Sequence, residues 1–178
     1  FIILLFFGAI IFLSTSGIET TKFNNLIVEQ IKKQNNQVNV SFKKINIKLD
    51  LKKLNLFLIT QSPKIQYEGT NIPIEEVKVY FKLISIIKNK PQLNRIIISN
   101  NQFDISKIKK IIIRSKPSNL KSFFLNNINN GTLNKSYFDL QFKENFALED
   151  YKINGSFTGI DAEVKKNIIS KVNFNFIF

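Results

Sequence analysis

The sequence of 178 residues has no cysteine and no histidine. Such a chain forms no disulfide, has no thiolate nucleophile and no Ser-His triad, and lacks the ligands of most zinc and copper sites. The redox compartment stays open, because a chain without cysteine is compatible with an oxidising or a reducing environment. The commonest routes to catalysis are therefore excluded by composition alone.

Motifs for phosphate and calcium binding are also missing. The sequence contains no GxGxxG, Walker or DxDxDG loop. The acidic pairs Glu75 and Glu76, and Glu149 and Asp150, are adjacent in sequence, so in a strand they point to opposite faces and do not share a proton. We therefore predict no catalytic residue, no metal site, no cofactor and no enzymatic activity.

Arginine is scarce for so basic a chain. The net charge is +13, yet Arg95 and Arg114 are the sole arginines among 26 basic residues. The lysines are scattered, and the abundant residue types Ile, Lys, Asn and Phe all have AT-rich codons, which indicates genomic bias. Nucleic-acid recognition favours clustered charge and bidentate arginine contacts. We predict no nucleic-acid partner.

The N-terminus is the longest apolar run in the sequence. Residues 1–13 include no polar side chain, and no charge occurs before Glu19. Eighteen uncharged residues in a helix reach about 27 Å, close to the roughly 30 Å hydrocarbon core of a bilayer. We predict a transmembrane anchor over residues 1–16, with residues 17–178 exported. A signal peptide cleaved near Ser14, Thr15 and Ser16 is the alternative.

The chain begins at Phe1 and ends within a strand pattern. We therefore expect a fragment that continues at both ends.

Two segments show helical periodicity. Behind the N-terminal run, four residues form one stripe of an amphipathic helix that ends near Gln34: Phe23, Leu26, Ile27 and Ile31. A second helical region, about 104–130, carries apolar residues at helical spacing with lysines opposite and is interrupted at Pro117. Most of the remaining chain alternates apolar and polar residues, which is typical of strands with one apolar face.

Residues 38–59 show this alternation most clearly. The phase slips at Lys43 and Lys44 and again at Lys52 and Lys53, which predicts a turn or a bulge at each place in an antiparallel meander. We expect a sheet with one apolar face, which must close into a barrel, pack on a second sheet or leave that face to a partner. Its predicted residues are Val38, Val40, Phe42, Ile45, Ile47, Leu49, Leu54, Leu56, Leu58, Val77, Val79, Phe81, Phe138, Leu140, Phe157, Phe174 and Phe176.

These patterns in this order resemble the N-terminal region of AsmA-like proteins, the family that includes TamB and YhdP. The resemblance is carried by the N-terminal run, by the sequence GIE at residues 17–19 before FNNLI at 23–27, and by INIKL at 45–49, IPI at 72–74 and VKVY at 77–80. The chain is similar, too, to the chorein-like start of bridge-like lipid transfer proteins.

The resemblance implies a mainly β protein with helices: a membrane helix, an amphipathic helix, and an antiparallel meander forming an open curved groove with a short helical insertion. It implies a single-pass inner-membrane protein with most of the chain in the periplasm, where the groove takes part in phospholipid transport or outer-membrane biogenesis. Its partners would be membrane phospholipids and outer-membrane or periplasmic proteins. The alternative is a scaffold for outer-membrane protein assembly or secretion without a lipid conduit.

Overall fold

The computed structural model describes residues 2–21, 24–88, 90, 92–114, 116–145, 147–164 and 166–178. The predicted mainly β class is confirmed, since most described residues lie in antiparallel strands and the remainder include several helices. The helices are α1 (Ile2–Thr15), α2 (Asn24–Gln34), α3 (Leu83–Ile87), α4 (Ile105–Ile112) and α5 (Asn119–Asn127). The strands are β1 (Ile18–Thr20), β2 (Val38–Ser41), β3 (Ile45–Asp50), β4 (Asn55–Gln61), β5 (Lys64–Tyr67), β6 (Thr70–Ile72), β7 (Ile74–Lys82), β8 (Leu93–Asn100), β9 (Phe103–Asp104), β10 (Ile128–Leu133), β11 (Ser136–Phe142), β12 (Leu148–Val164) and β13 (Asn167–Ile177).

Most strands form one open sheet, in the order β1-β3-β4-β7-β8-β11-β12-β10-β9, with β13 paired to β12. Strand β10 continues the line of β11, because both pair with the same long strand β12. Strand β9 likewise continues β8, since β8 pairs with β11 and β9 with β10. The main sheet is therefore a meander of long antiparallel strands, several of them interrupted once.

A smaller sheet of β2, β5 and β6 continues the lines of β3, β4 and β7, respectively. Residues 42–44 join β2 to β3, residues 62–63 join β4 to β5, and Pro73 separates β6 from β7. Backbone hydrogen bonds cross the same level, from Ser62 N to the Glu75 carbonyl at 2.6 Å and from Asn101 N to the Pro73 carbonyl at 2.8 Å. Proline has no amide hydrogen for a strand ladder, which accounts for the break at Pro73. A line of interruptions thus divides the strands into a main part and a second part.

The second part carries most of the helical packing. Helices α4 and α5 lie where the insertion at 104–130 is predicted, and they pack against β10 and β12. The side chains of Ile105, Ile160 and Ala162 are at most 8% exposed there. Ser118 caps the start of helix α5, and its Oγ accepts a hydrogen bond from Lys121 N at 3.1 Å. Helix α2 packs on β2.

Helix α1 covers most of the apolar N-terminal run and exposes many of its side chains. It ends before Gly17, and β1 then pairs with the edge of β3. The sequence pattern does not predict this short strand. Within the part of the chain that the structure describes, no helix has the length and apolar character needed to cross a membrane.

Of the turn or bulge predicted at Lys43 and Lys44, the hairpin turn is absent. Strand β2 pairs with β5, not with β3, because the break at residues 42–44 carries the chain across the line of interruptions and not back in a hairpin. The second predicted turn is present at residues 51–54 and joins β3 to β4.

Residues of types that are common in turns and at helix ends also lie inside two strands. Gly131 lies inside β10, because α5 already ends at Asn127. Asn154, Gly155, Thr158 and Gly159 lie inside the single strand β12, whose pairing with β13 is regular at Asn154 and Gly155 and irregular between Phe157 and Ile160.

Candidate functional site

One row of mostly apolar side chains crosses seven strands of the main sheet. Residues directly opposite each other in an antiparallel pair lie on the same face. The register of the strand pairs joins, from β1 to β12, Ile18, Ile47, Leu58, Val79, Ile96, Leu140 and Tyr151. With about 4.8 Å between neighbouring strands, the row is about 29 Å long.

Parallel rows on either side widen this surface. Toward the turn at 51–54 lie Leu49, Leu56, Phe81 and Leu93. Toward the line of interruptions lie Ile45, Val77, Ile98, Phe138 and Ile153. We call these three rows together the apolar face. It arises because each of its longer strands places apolar residues at every second position.

Most side chains of the apolar face are half-buried by one another and not covered by a further layer. Ile45 and Leu49 are buried, at 3% and 8% exposure, whereas Tyr151 is 53% exposed and Ile18 is 48% exposed. Helix contacts in the described chain fall mainly at the margins of the sheet, on β2, β3, β9, β10 and the end of β7. The centre of the apolar face is therefore open to a partner.

The face continues into the helix-covered core at one end. Phe157 lies on the same side of β12 as Ile153 and packs against the core formed with α4 and α5. Its ring centroid is 5.2 Å from that of Phe174 and 5.4 Å from that of Phe176, on the neighbouring strand β13. Aromatic side chains thus extend the apolar face along β12 and β13.

The opposite side of the sheet, which we call the polar face, has its own fixed contacts. Arg95 Nε donates to Asp139 Oδ1 at 2.5 Å, and a second bond joins Nη2 to Oδ2. The hydrogen bond to Asp139 raises the pKa of Arg95. The ring of Tyr80 stacks on Phe57 with centroids 5.0 Å apart, and burial raises the pKa of Tyr80. The side chains of Lys48, Lys78 and Lys152 share this face.

The structure brings together most of the residues predicted to line a groove. Those that lie on the apolar face are Ile45, Ile47, Leu49, Leu56, Leu58, Val77, Val79, Phe81, Phe138 and Leu140. Phe157, Phe174 and Phe176 form its aromatic extension. The signal that identified these residues was the occurrence of apolar side chains at every second position of a strand.

Four predicted residues lie elsewhere. Val38 and Val40 belong to β2 in the smaller sheet, and Phe42 lies in the link after it. Leu54 is in the turn between β3 and β4, has a positive φ of 49°, and is 59% exposed. Their spacing matches the alternation, but the breaks at residues 42–44 and 51–54 take them out of the main sheet.

Several residues of the apolar face are missing from the predicted set: Ile18, Leu93, Ile96, Ile98, Ile153 and Tyr151. On β8 the signal was obscured, because Ile96, Ile97 and Ile98 are consecutive and read as a strand buried on both faces. Of the predicted helix stripe, Ile27 and Ile31 are half-buried on α2, while Phe23 and the side chain of Leu26 lie outside the described residues.

Within the described ranges, no group of three or more acidic residues is placed to hold a metal ion. Comparison with protein-family models, with curated proteins and with solved structures finds no match to the chain. The resemblance to AsmA-like proteins therefore stays a prediction.

Proposed function

We propose that the chain is a membrane-anchored periplasmic β-groove protein, without enzymatic activity, that shields phospholipid acyl chains during transport between the inner and outer membranes. The observation that carries this proposal is the apolar face, half-buried and open at its centre across seven strands. In this proposal α1 is part of a single-pass anchor in the inner membrane, and the sheet lies in the periplasm.

The energetics of lipid transfer demand such a surface. Exposing a sixteen-carbon acyl chain to water costs on the order of 12 kcal/mol, at about 0.8 kcal/mol per methylene. A phospholipid with two chains faces about twice that cost. One leaflet of the hydrocarbon core is about 15 Å thick, so a 29 Å row of apolar side chains is longer than a single acyl chain.

The two sides of the sheet support the same orientation. The polar face carries charged side chains, and at its centre the buried carboxylate of Asp139 is paired with Arg95. Covering the apolar face with acyl chains removes its exposed hydrocarbon from water without desolvating a charge. The resemblance to AsmA-like proteins supports this proposal as well.

Adjacent residues on β11 provide a matched test. Leu140 lies on the apolar face, and Gln141 lies on the polar face and is exposed. We expect Leu140→Asp to reduce transfer of a fluorescent phospholipid between vesicles at least tenfold, because it places a charge against the acyl chains, while Gln141→Asp leaves transfer unchanged. Circular dichroism checks that both variants stay folded. Equal transfer by the two folded variants would contradict the proposal.

A scaffold for outer-membrane protein assembly is the second candidate, and strand β13 favours it. In the described chain β13 pairs with β12 on one side and has no strand on the other. Several of its apolar side chains are exposed, among them Ile168 at 78% and Ile177 at 73%. An open strand edge pairs readily with an incoming strand. Capture of an outer-membrane barrel by a crosslinker on β13, with no lipid captured on the apolar face, would favour this function over transport.

A further inference from the structure

One end of the main sheet combines exposed apolar side chains with lysines. The turn at residues 51–54 and helix α3 both lie at this end, where β3 passes into β4 and β7 ends. Leu54 is 59% exposed, Ile84 is 63% exposed and Ile87 is 73% exposed. We call this region, with the cleft between the turn and α3, the basic end.

The charge at the basic end is strongly one-sided. A cleft of about 510 Å³ is lined by Lys53, Lys82, Lys88 and Lys90, with Glu144 as its acidic residue. Glu144 Oε1 accepts a hydrogen bond from Lys82 at 3.3 Å, which leaves three lysines in excess. Asp50, next to the turn, accepts hydrogen bonds from the backbone amides of residues 52 and 53.

Helix α1 enters the fold at the same end. Ile18 is opposite Ile47, so in this antiparallel pair the residues before Ile18 lie toward the β3–β4 turn. The Thr15 carbonyl accepts a hydrogen bond from Lys48 Nζ at 2.8 Å, which places the end of α1 beside β3. The exposed apolar helix and the basic end are therefore neighbours.

We propose that the basic end rests on a bilayer that contains anionic phospholipid. Leu54, Ile84 and Ile87 enter the interface, and Lys53, Lys88 and Lys90 contact headgroup phosphates. Exposed apolar side chains beside lysines match the apolar depth and the negative charge of such a surface. This proposal rests on the proposed lipid function and deepens it, because it names the lipid class and the surface that meets it.

The chain contains no cysteine, so a single introduced cysteine reports one position without background. A polarity-sensitive fluorophore is attached at Ile87→Cys, or at Lys166→Cys beyond the far end of β12 as the control. The full chain is mixed with vesicles of phosphatidylcholine alone or with one third phosphatidylglycerol. We expect a blue shift at position 87 on the anionic vesicles, little shift on the neutral ones, and none at position 166.

Removing the lysine charges of the basic end should remove its preference for anionic vesicles. Each lysine at an anionic surface contributes about fivefold in affinity. Lys53→Gln, Lys88→Gln and Lys90→Gln together should therefore weaken the affinity for anionic vesicles, followed by the label at position 87, roughly a hundredfold. The matched control changes three exposed lysines elsewhere, Lys64→Gln, Lys166→Gln and Lys171→Gln, and should lower it far less.

Three results would overturn the proposal. The first is fluorescence typical of water at position 87 in chains that sediment with vesicles. The second is an equal blue shift on both vesicle types. The third is a concentration-dependent blue shift without vesicles, which would indicate contact with a second copy. Leu140→Asp should leave the signal at position 87 unchanged. A failure at the basic end is thus distinguishable from a failure of lipid transfer.

Discussion

Single residues fix which side chains each central strand presents on either face of the sheet. Asp139 is 7% exposed and its carboxylate is bonded by Arg95, while the neighbouring strand positions Ile96 and Leu140 point to the opposite face. A buried carboxylate without a partner is costly, so the ion pair favours one orientation of both strands. A one-residue slip in register would put this charge pair among apolar side chains.

Arg95→Leu should therefore lower the free energy of unfolding by about 2–4 kcal/mol, because it leaves Asp139 unpaired. Urea denaturation measures the loss. Removing both partners, in Arg95→Leu with Asp139→Leu, should restore part of it. As a comparison, Lys107→Ala removes the exposed ion pair with Asp104 and should cost less than about 1 kcal/mol. Equal losses for the single variants at Arg95 and Lys107 would contradict the role of the buried pair.

Gly17 fixes the junction between α1 and the sheet. Its φ is +74°, and a Cβ there would lie 2.4 Å from Asn46 Oδ1 and 2.7 Å from the Ile47 carbonyl. Gly69 has a similar φ of +79° in open space. Gly17→Ala should thus destabilise the chain by about 3 kcal/mol and Gly69→Ala by about 1 kcal/mol. Thermal unfolding of the two variants compares them, and similar melting temperatures would argue against a close packing at the junction.

Among the elements, the helices and the apolar strands differ in how they are covered. Ile105 of α4 is 1% exposed within the core beneath the helices, whereas Ile96 of β8 is half-buried on the apolar face. The same substitution at the two positions reports whether the face is an ordinary core.

Ile105→Ala should cost about 2–4 kcal/mol, because it leaves a cavity in a packed site. Ile96→Ala should cost about 1 kcal/mol or less, since its surroundings are already partly open to solvent. Urea denaturation in the absence of lipid gives both values. A cost at Ile96 as large as that at Ile105 would mean that another layer covers the apolar face.

The sequence predicted elements better than connections. Alternation identified β3, β4, β7 and β11, and helical spacing identified α4 and α5, because both patterns are local and follow the side-chain period of each element. The pairing of β2 with β5 was not predicted, since it depends on breaks at two distant links that align only after folding. The continuity of β12 was not predicted, because its Asn and Gly residues match turn chemistry, and bulges that keep a strand continuous use the same residues.

At the scale of the whole molecule, the two faces of the sheet and its basic end differ in chemistry. The polar face carries ion pairs and lysines, the apolar face presents three rows of hydrocarbon, and the basic end joins them near α1. A lipid path needs all three features in one arrangement, because acyl chains require shielding while headgroups require charge and water. No single segment of the sequence shows this arrangement, since it depends on the register across seven strands.

The central claim is that acyl chains occupy the apolar face, and a crosslinker scan along β7 tests it most directly. A photoreactive amino acid is placed in turn at each position from 77 to 81, in cells, and captured phospholipid is measured by mass spectrometry. Successive residues of the strand alternate between the two faces, with Val77, Val79 and Phe81 on the apolar face and Lys78 and Tyr80 on the polar face. We predict capture at 77, 79 and 81 and none at 78 and 80. Uniform capture, or capture at 78 and 80 alone, would contradict the account.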